Sequence, residues 1–318
     1  METAYKNWYN GIPKNPIQFK EAASMEQLLI EIYCDIDDFC KEFEVYWKKH
    51  LLPQTSAIIP KCGMSLSEIM AIAVFFHLSN HKTFKWYYKY LICGTMKSCF
   101  SRTLSYNRFV EVMQSAIVPL TVYLMKFRCG KCSGISFLDS TSIDVCHNRR
   151  IYSHKVFEGL AERGKTSTGW FYGFKLHLAI NDEGELLSFC ITAGNVDDRD
   201  WETISRLTRE IYGKLYADRG YISQKLFDEL FQKGISLTTK IRKNMKNRLV
   251  ETWDKIMLRK RAIIESVNDF LKNICQIEHT RHRSPANFLV NLIAGLVAYS
   301  FLPKKPSLRL RNSLLPFD

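Results

Sequence analysis

Three carboxylates stand where separate elements end or turn. Asp139 closes the short apolar run ISFLDS, Asp218 closes KLYAD, and Glu265 rides the basic amphipathic segment LRKRAIIESVNDFLK. Bringing them to one point sets up a mutual repulsion of roughly 4 kcal/mol per pair at ~4 Å and an effective dielectric of ~20. A divalent cation relieves that repulsion, and Mg²⁺ held by two or three carboxylates is the equipment of phosphoryl transfer on nucleic acid. Asp139, Asp218 and Glu265 are therefore the expected catalytic and metal-binding residues.

Other candidates weigh less. Asp197, Asp198 and Asp200 cluster in GNVDDRD, where turn formation, helix capping and support for the site are the expected roles. Lys175 and His177 alternate on one strand and so share a face, with His177 read as a partly buried structural residue. Arg149, Arg150 and Lys155, with His147 and His154, lie in an irregular stretch suited to contacting DNA. Gly164, Gly169 and Gly173 form no nucleotide-binding pattern. Cys129 and Cys132 form a CxxC without a second pair at the spacing a structural zinc site needs.

The chain has 318 residues, 46% hydrophobic and 13% aromatic, enough for one large or two smaller globular domains. Its net charge is +13, which points to a polyanionic partner. Most of that excess lies between Lys240 and Arg311, where 16 Lys and Arg stand against 5 Asp and Glu around Glu265. Ten scattered cysteines fit thiols in a reducing cytoplasm better than a disulfide framework. The longest apolar segment, Phe288 to Leu302, is shorter than a ~20-residue span and contains Asn291, so a core helix is expected and no membrane role.

Periodicity places the elements. Residues 17–50 carry apolar positions at helical spacing, Ser65 with Glu68 announces a second helix, and a third covers about Thr83 to Leu91. Ser105 caps a helix opening Tyr106, Asn107, Arg108, a pattern that suits either a recognition helix or an ordinary packing helix. After CGKCSG at 129–134 the period changes to that of strands. GISFLDS is one, residues 144–169 are irregular, FYGFKLHLAIN and ELLSFCITAG form a hairpin across DEG, and Asp200 to Tyr212 is helical. KLYAD, a Ser223-capped helix to Lys233, ISLTTKIR and a long helix from about Thr252 to Ile274 complete the order, with a loosely held tail after Pro303.

That order is the one found in ribonuclease H-like folds, where acids occupy the first strand, the end of the fourth and a later helix. The expected class is α/β: a ribonuclease H-like mixed-sheet catalytic domain at 133–285, preceded by an all-helical DNA-binding region at 1–130 and followed by a core helix and basic tail at 286–318. LSYNRFV at 104–110, LDSTSIDVCHNRRIYSHKVFEGLAERGKTSTGWFYGFKLHLAIN, the helix around Glu265, and RHRSP at 281–285 resemble the DDE transposases of bacterial insertion sequences, most closely the 982-type family. In related enzymes the third acid lies in a Tyr-x2-Arg-x3-Glu-x6-Lys signature. Arg261, Glu265 and Lys272 match it, while Leu258 stands in the Tyr position. Offsets of four and seven residues keep these three on about one helical face. Asp269 shares that face, but only Glu265 fits both offsets.

The resemblance implies cut-and-paste transposition: metal-dependent cleavage at element ends, then strand transfer into target DNA. Two Mg²⁺ ions are implied, replaceable by Mn²⁺, with Asp139 bridging both and Asp218 and Glu265 each holding one. The implied partners are terminal inverted repeats and target DNA, bound by a homo-oligomer assembled on DNA. Arg108, Arg149, Arg150, Lys155, Arg261 and Lys272 are the expected DNA contacts. The alternatives are a nuclease of the same fold without strand transfer and a catalytically inactive DNA-binding derivative.

Overall fold

The computed structural model describes residues 22–50, 62–166, 169–240, 251–278 and 282–308. The expected helical start at 17–21, the end of ISLTTKIR, the cationic run at 242–248, Arg281 and the last ten residues lie outside the described residues. The chain divides into two compact units, Met1–Ser115 and Ala116–Asp318.

Every described element of the first unit is helical. Helix α1, Ala22–His50, buries Leu29, Ile32, Ile36, Phe39 and Phe43, an apolar stripe at three- and four-residue steps, against α2, Leu66–Phe76. Helix α2 starts where the sequence says it should. Ser65 Oγ accepts from the Glu68 amide at 3.1 Å, and Glu68 Oε2 accepts from the Ser65 amide at 2.7 Å, a reciprocal capping box. A helical turn at Phe84–Trp86 then widens into a π-helix over Tyr87–Thr95. Its inner face is fixed by hydroxyls: Tyr87 donates to the Ile72 carbonyl and Tyr88 to that of Leu104. Helix α3, Tyr106–Val112, is capped by Ser105, and its Phe109 packs against Tyr88 at 4.5 Å.

The second unit begins with α4, Ile117–Tyr123, which runs on into a π-turn at Leu124–Arg128. Both pack on α9, Pro285–Phe301, within the second unit. The stretch up to residue 128, expected as part of the N-terminal region, thus packs with the sheet-bearing unit, and so does the C-terminal core helix. The physical reason is apolar complementarity: Leu120, Tyr123 and Leu124 are fully buried, as are Leu292, Leu296 and Tyr299 on α9. The helical run Tyr106–Arg128 has the length and composition to cross a membrane.

Six strands form one mixed sheet: β1 Ile135–Asp144, β2 Glu162–Thr166, β3 Gly169–Asn181, β4 Leu186–Ala193, β5 Gly213–Ala217 and β6 Ile235–Thr239. Strand β3 lies antiparallel to β1 on one edge. On its other edge it meets β2 along residues 169–173 and β4 along residues 174–180. Strands β1, β5 and β6 are parallel. Helix α5, Trp201–Leu207, and helix α6, Gln224–Gln232, belong to one core: Ile204, Leu207, Leu226 and Leu230 cluster with Leu138, Leu215 and Leu237 from the strands. Helix α7, Thr252–Lys260, contacts β5 and β6, and α8, Ala262–Asp269, contacts β1.

Two glycines set where β1 and β5 begin. Gly134 and Gly213 both take positive φ (87° and 80°), and the Lys214 amide donates to the Gly134 carbonyl at 2.8 Å. A Cβ on Gly213 would lie 2.5 Å from that carbonyl oxygen. Only glycine permits both the backbone angle and this approach.

Candidate active site

The sheet does the first part of the assembly. Strands β1 and β5 pair in parallel with Leu138 opposite Ala217, so the next position on each is an aspartate, Asp139 beside Asp218. Neighbouring strands are roughly 4.8 Å apart, so this pairing is enough to bring the two carboxylates together at the end of β5. Strand β1 itself runs on to Asp144, paired with β3, so Asp139 lies midway along its strand and not at the end the apolar run suggests. Alternation along β1 sends Leu138 into the α5–α6 core and turns Asp139 the other way, toward α7 and α8.

The third acid arrives by a different route. Arg261 lies at the junction between α7 and α8, with its side chain 9% exposed, and reaches two carboxylates. Its Nη2 donates to Glu265 Oε1 at 2.6 Å, and its Nη1 lies 3.8 Å from Asp139 Oδ1. Nε and Nη1 are buried without a hydrogen-bond partner. One turn further along α8, Asn268 Nδ2 donates to Asp139 Oδ2 at 3.2 Å, and its Oδ1 is buried without a partner. Asp269 points elsewhere, accepting from Asn273 at 2.6 Å. Of the two candidate third acids, Glu265 is the one the structure ties to Asp139.

Electrostatics mark the same point. Burial pushes the Asp139 carboxyl up to about 7, against the pull of Arg261 and of the Ser140 amide; Glu265 and Asp218 push in the same direction as burial. Among the described residues, no three His, Cys, Asp or Glu side chains converge closely enough to hold one ion, and Glu265, 58% exposed, is turned to Arg261. The chemistry of the donors nonetheless fits a hard divalent cation: carboxylate oxygens from three acids, two of them now held by the Arg261 guanidinium, a charge that a metal ion would replace.

Behind this surface runs a second polar layer, built around Asp198 and Lys175. Asp198 Oδ1 accepts from Ser140 Oγ at 2.9 Å and from Lys175 Nζ at 3.0 Å. Lys175 also donates to the Val196 carbonyl at 2.7 Å. The Tyr221 hydroxyl is held well above the ordinary phenol range by burial and by Asp139, Asp198 and Asp218. Asp197 pairs with Arg199, and Asp200 caps α5 through Thr203. His177 is fully buried with Nε2 2.8 Å from Thr192 Oγ1, and burial lowers it to about 4.

The remaining expected contacts are spread out. Lys272 sits in a π-turn, Phe270–Ile274, pairs with Glu278 at 2.9 Å, and lies beside Asp144. Asp144 is five residues along β1 from Asp139, roughly 17 Å at strand rise, so Lys272 is away from the triad. Arg149, Arg150 and Lys155 are exposed on the connection between β1 and β2, which is anchored by buried Phe157 against Phe174 and Phe288. Arg108 is exposed in the first unit and pairs with Glu111 at 3.0 Å. In RHRSP, Ser284 caps α9 and the His282 ring meets Phe288 edge-on. Cys129 is half-buried and raised to about 11 by burial, an inert thiol.

Residues 129–285, the stretch that carries all three acids, match the family model described as Transposase DDE domain. The chain carries a DDE transposase domain. As a DDE transposase it is an enzyme that acts on DNA, and domains of this kind generally depend on a divalent metal. Among solved structures, the transposase is similar to the piggyBac transposase in a cryo-EM synaptic complex with hairpin DNA. Identity is 11% over 86% of this chain and 72% of that one, with a TM-score of 0.43, a likeness too loose to bear on site or substrate. No curated protein matches the sequence of this transposase.

Proposed function

We propose that the chain is the transposase of a bacterial insertion sequence of the 982 type, which cleaves at the element's ends and joins them to target DNA through one site. The observation that carries this reading is the β1–β5 register, which sets Asp139 beside Asp218, while Arg261 pairs with both Asp139 and Glu265 and so links the third acid to the first. The strand order β4-β3-β1-β5-β6, with antiparallel β3 and parallel β1, β5 and β6, supports a ribonuclease H-like catalytic domain. The helical first unit, with Arg108 in the first turn of a capped helix, supports a DNA-binding role for that unit.

Asp139, Asp218 and Glu265 would hold two Mg²⁺ ions, and the chemistry these would supply when bound is activation of a nucleophilic oxygen and stabilisation of the leaving oxygen. The chain's own residues prepare that chemistry. Asn268 and the Ser140 amide hold the Asp139 carboxylate in one orientation. Arg261, buried between Asp139 and Glu265, balances charge between the two.

The test is incubation of purified protein with end DNA and a target plasmid in Mg²⁺ or Mn²⁺, with nicked and joined products scored separately. Asp139→Asn, Asp218→Asn and Glu265→Gln are each expected to abolish both products while end binding stays within about threefold of wild type, since only the metal-dependent step is removed. Asp269→Asn keeps most activity. Substantial joining by one of the three dead variants removes that residue from the site, and nicking without joining by the wild type makes the enzyme a nuclease.

A further inference from the structure

Between Glu68 and Glu111 the sequence has no Asp or Glu, and Lys82, Lys85, Lys89, Lys97, Arg102 and Arg108 fall in that interval. The fold sorts this stretch into two faces. Tyr87, Tyr88 and Ile92 are buried in the first unit, while Lys82, Lys85, Trp86, Lys89 and Tyr90 are exposed at three- and four-residue spacing along the segment that becomes the π-helix. Trp86 is 53% exposed and Tyr90 59%. Their ring centroids lie 5.0 Å apart, and the His81 ring stacks with Trp86 at 5.1 Å. Lys85 sits over the Tyr106 ring at 5.9 Å, so the face continues to the start of α3.

Large planar rings left in water among lysines that make no ion pair among the described residues present two things at once. The cations attract a phosphate backbone, and the rings offer π-faces on which unpaired bases stack. A surface for duplex backbone alone needs the lysines and gains nothing from the rings, because paired bases are not available for stacking. Trp86 and Tyr90 are four residues apart, the helical step that sets side chains one above the other, where the chain enters the π-helix, a geometry often found at functional positions.

We propose that the Lys85–Trp86–Lys89–Tyr90 face of the first unit binds DNA with unpaired bases, its lysines on the phosphates and its ring pair against a base. This rests on the reading of the chain as a DNA transposase and adds a contact distinct from the acidic site and from Arg108.

The experiment titrates the full-length protein into a labelled 12-nucleotide single strand and into the duplex of the same sequence at fixed salt, alongside the end-joining assay. Trp86→Ala and Tyr90→Ala are expected to weaken single-strand binding by about 5-fold to about 150-fold, the range for loss of one stacked base, and to leave duplex binding within about twofold. Trp86→Phe restores most of the loss. Lys85→Ala with Lys89→Ala weakens both forms and reduces the single-strand salt slope by about 1.4. Melting curves matching the wild type show that the exposed positions leave the fold intact. Unchanged single-strand affinity in both aromatic variants overturns the proposal, and so does an equal loss on duplex and single strand. A wild type that joins ends while these variants bind normally defeats this inference alone, whereas a wild type that binds no DNA defeats the transposase reading itself.

Discussion

A guanidinium buried between carboxylates, as Arg261 is between Asp139 and Glu265, competes with any metal ion for the same oxygens. Replacing it with methionine keeps the volume and removes the charge. Arg261→Met is therefore expected to lower the melting temperature of the metal-free protein, because two acids lose their buried partner. The same change is expected to tighten Mn²⁺ binding roughly tenfold or more, because the site becomes one unit more negative at close range. Calorimetric titration reads the second effect, and weaker Mn²⁺ binding would make Arg261 a group that positions Glu265 for metal.

His177 gives a separate handle. It stays neutral in the folded protein down to about pH 4, whereas its ordinary value is 6.5, so between those limits only the unfolded chain takes up the proton. The stability it contributes is present above about pH 6.5 and is lost as pH falls toward 4, by about 1.4 kcal/mol per pH unit at most. Urea denaturation at pH 7 and pH 5 should show that loss in the wild type and a smaller one in His177→Gln; equal losses would place the acid sensitivity elsewhere. Asp139 and Asp218 were legible in the sequence because each closes its own apolar run. Asn268 was not, although its place three residues after Glu265 on one helical face was an available signal. The Ser140–Asp198 contact spans 58 residues, and no local pattern reports it.

At the scale of elements, α7 is pinned to the sheet by Asp254, which accepts from Lys214 at 2.8 Å and from the Tyr216 hydroxyl at 2.7 Å. Lys214 and Tyr216 alternate on β5, so one carboxylate ties the helix leading to Arg261 onto the strand that ends in Asp218. Asp254→Ala is expected to cost about 1–3 kcal/mol in denaturant unfolding and to lower joining with little change in end binding. A loss of stability with full activity would show that docking of α7 does not set the position of Glu265. The sequence suggested one continuous helix from Thr252 to Ile274 with Lys272 on the face of Glu265. The structure breaks that helix at Arg261 and widens it after Asp269, and both changes shift azimuth. Ideal 3.6-residue periodicity cannot anticipate a π-turn. Residues 144–169 read as irregular, yet Glu162–Thr166 forms β2: the segment is polar and Gly-containing, and it pairs because β3 is long enough to take it beside β4.

At the scale of the whole molecule, charge dominates. The excess between Lys240 and Arg311 surrounds the helix that carries Glu265. If about 6 to 10 phosphates are neutralised, DNA affinity is expected to fall ~10³ to 10⁵-fold between 50 and 200 mM salt. Fluorescence anisotropy across that range gives the slope, and a flat response would separate the basic stretch from DNA. The catalytic α/β class was legible because strand and helix periods alternate cleanly after residue 134. The boundary at Ser115 was hidden inside the helical run Tyr106–Arg128, where the period does not change.

The parallel pairing of β1 with β5 also bears on when the protein becomes active during its own synthesis. A chain that has emerged only as far as β5 holds two acids side by side and lacks the third. At ~5–20 residues per second, Glu265 follows Asp218 by several seconds, and α9, which packs on the turn after α8, is later still. On the proposed triad, chains released early, or clipped ahead of α8, are expected to lack cutting activity, which would arrive only with the final fifth of the polypeptide.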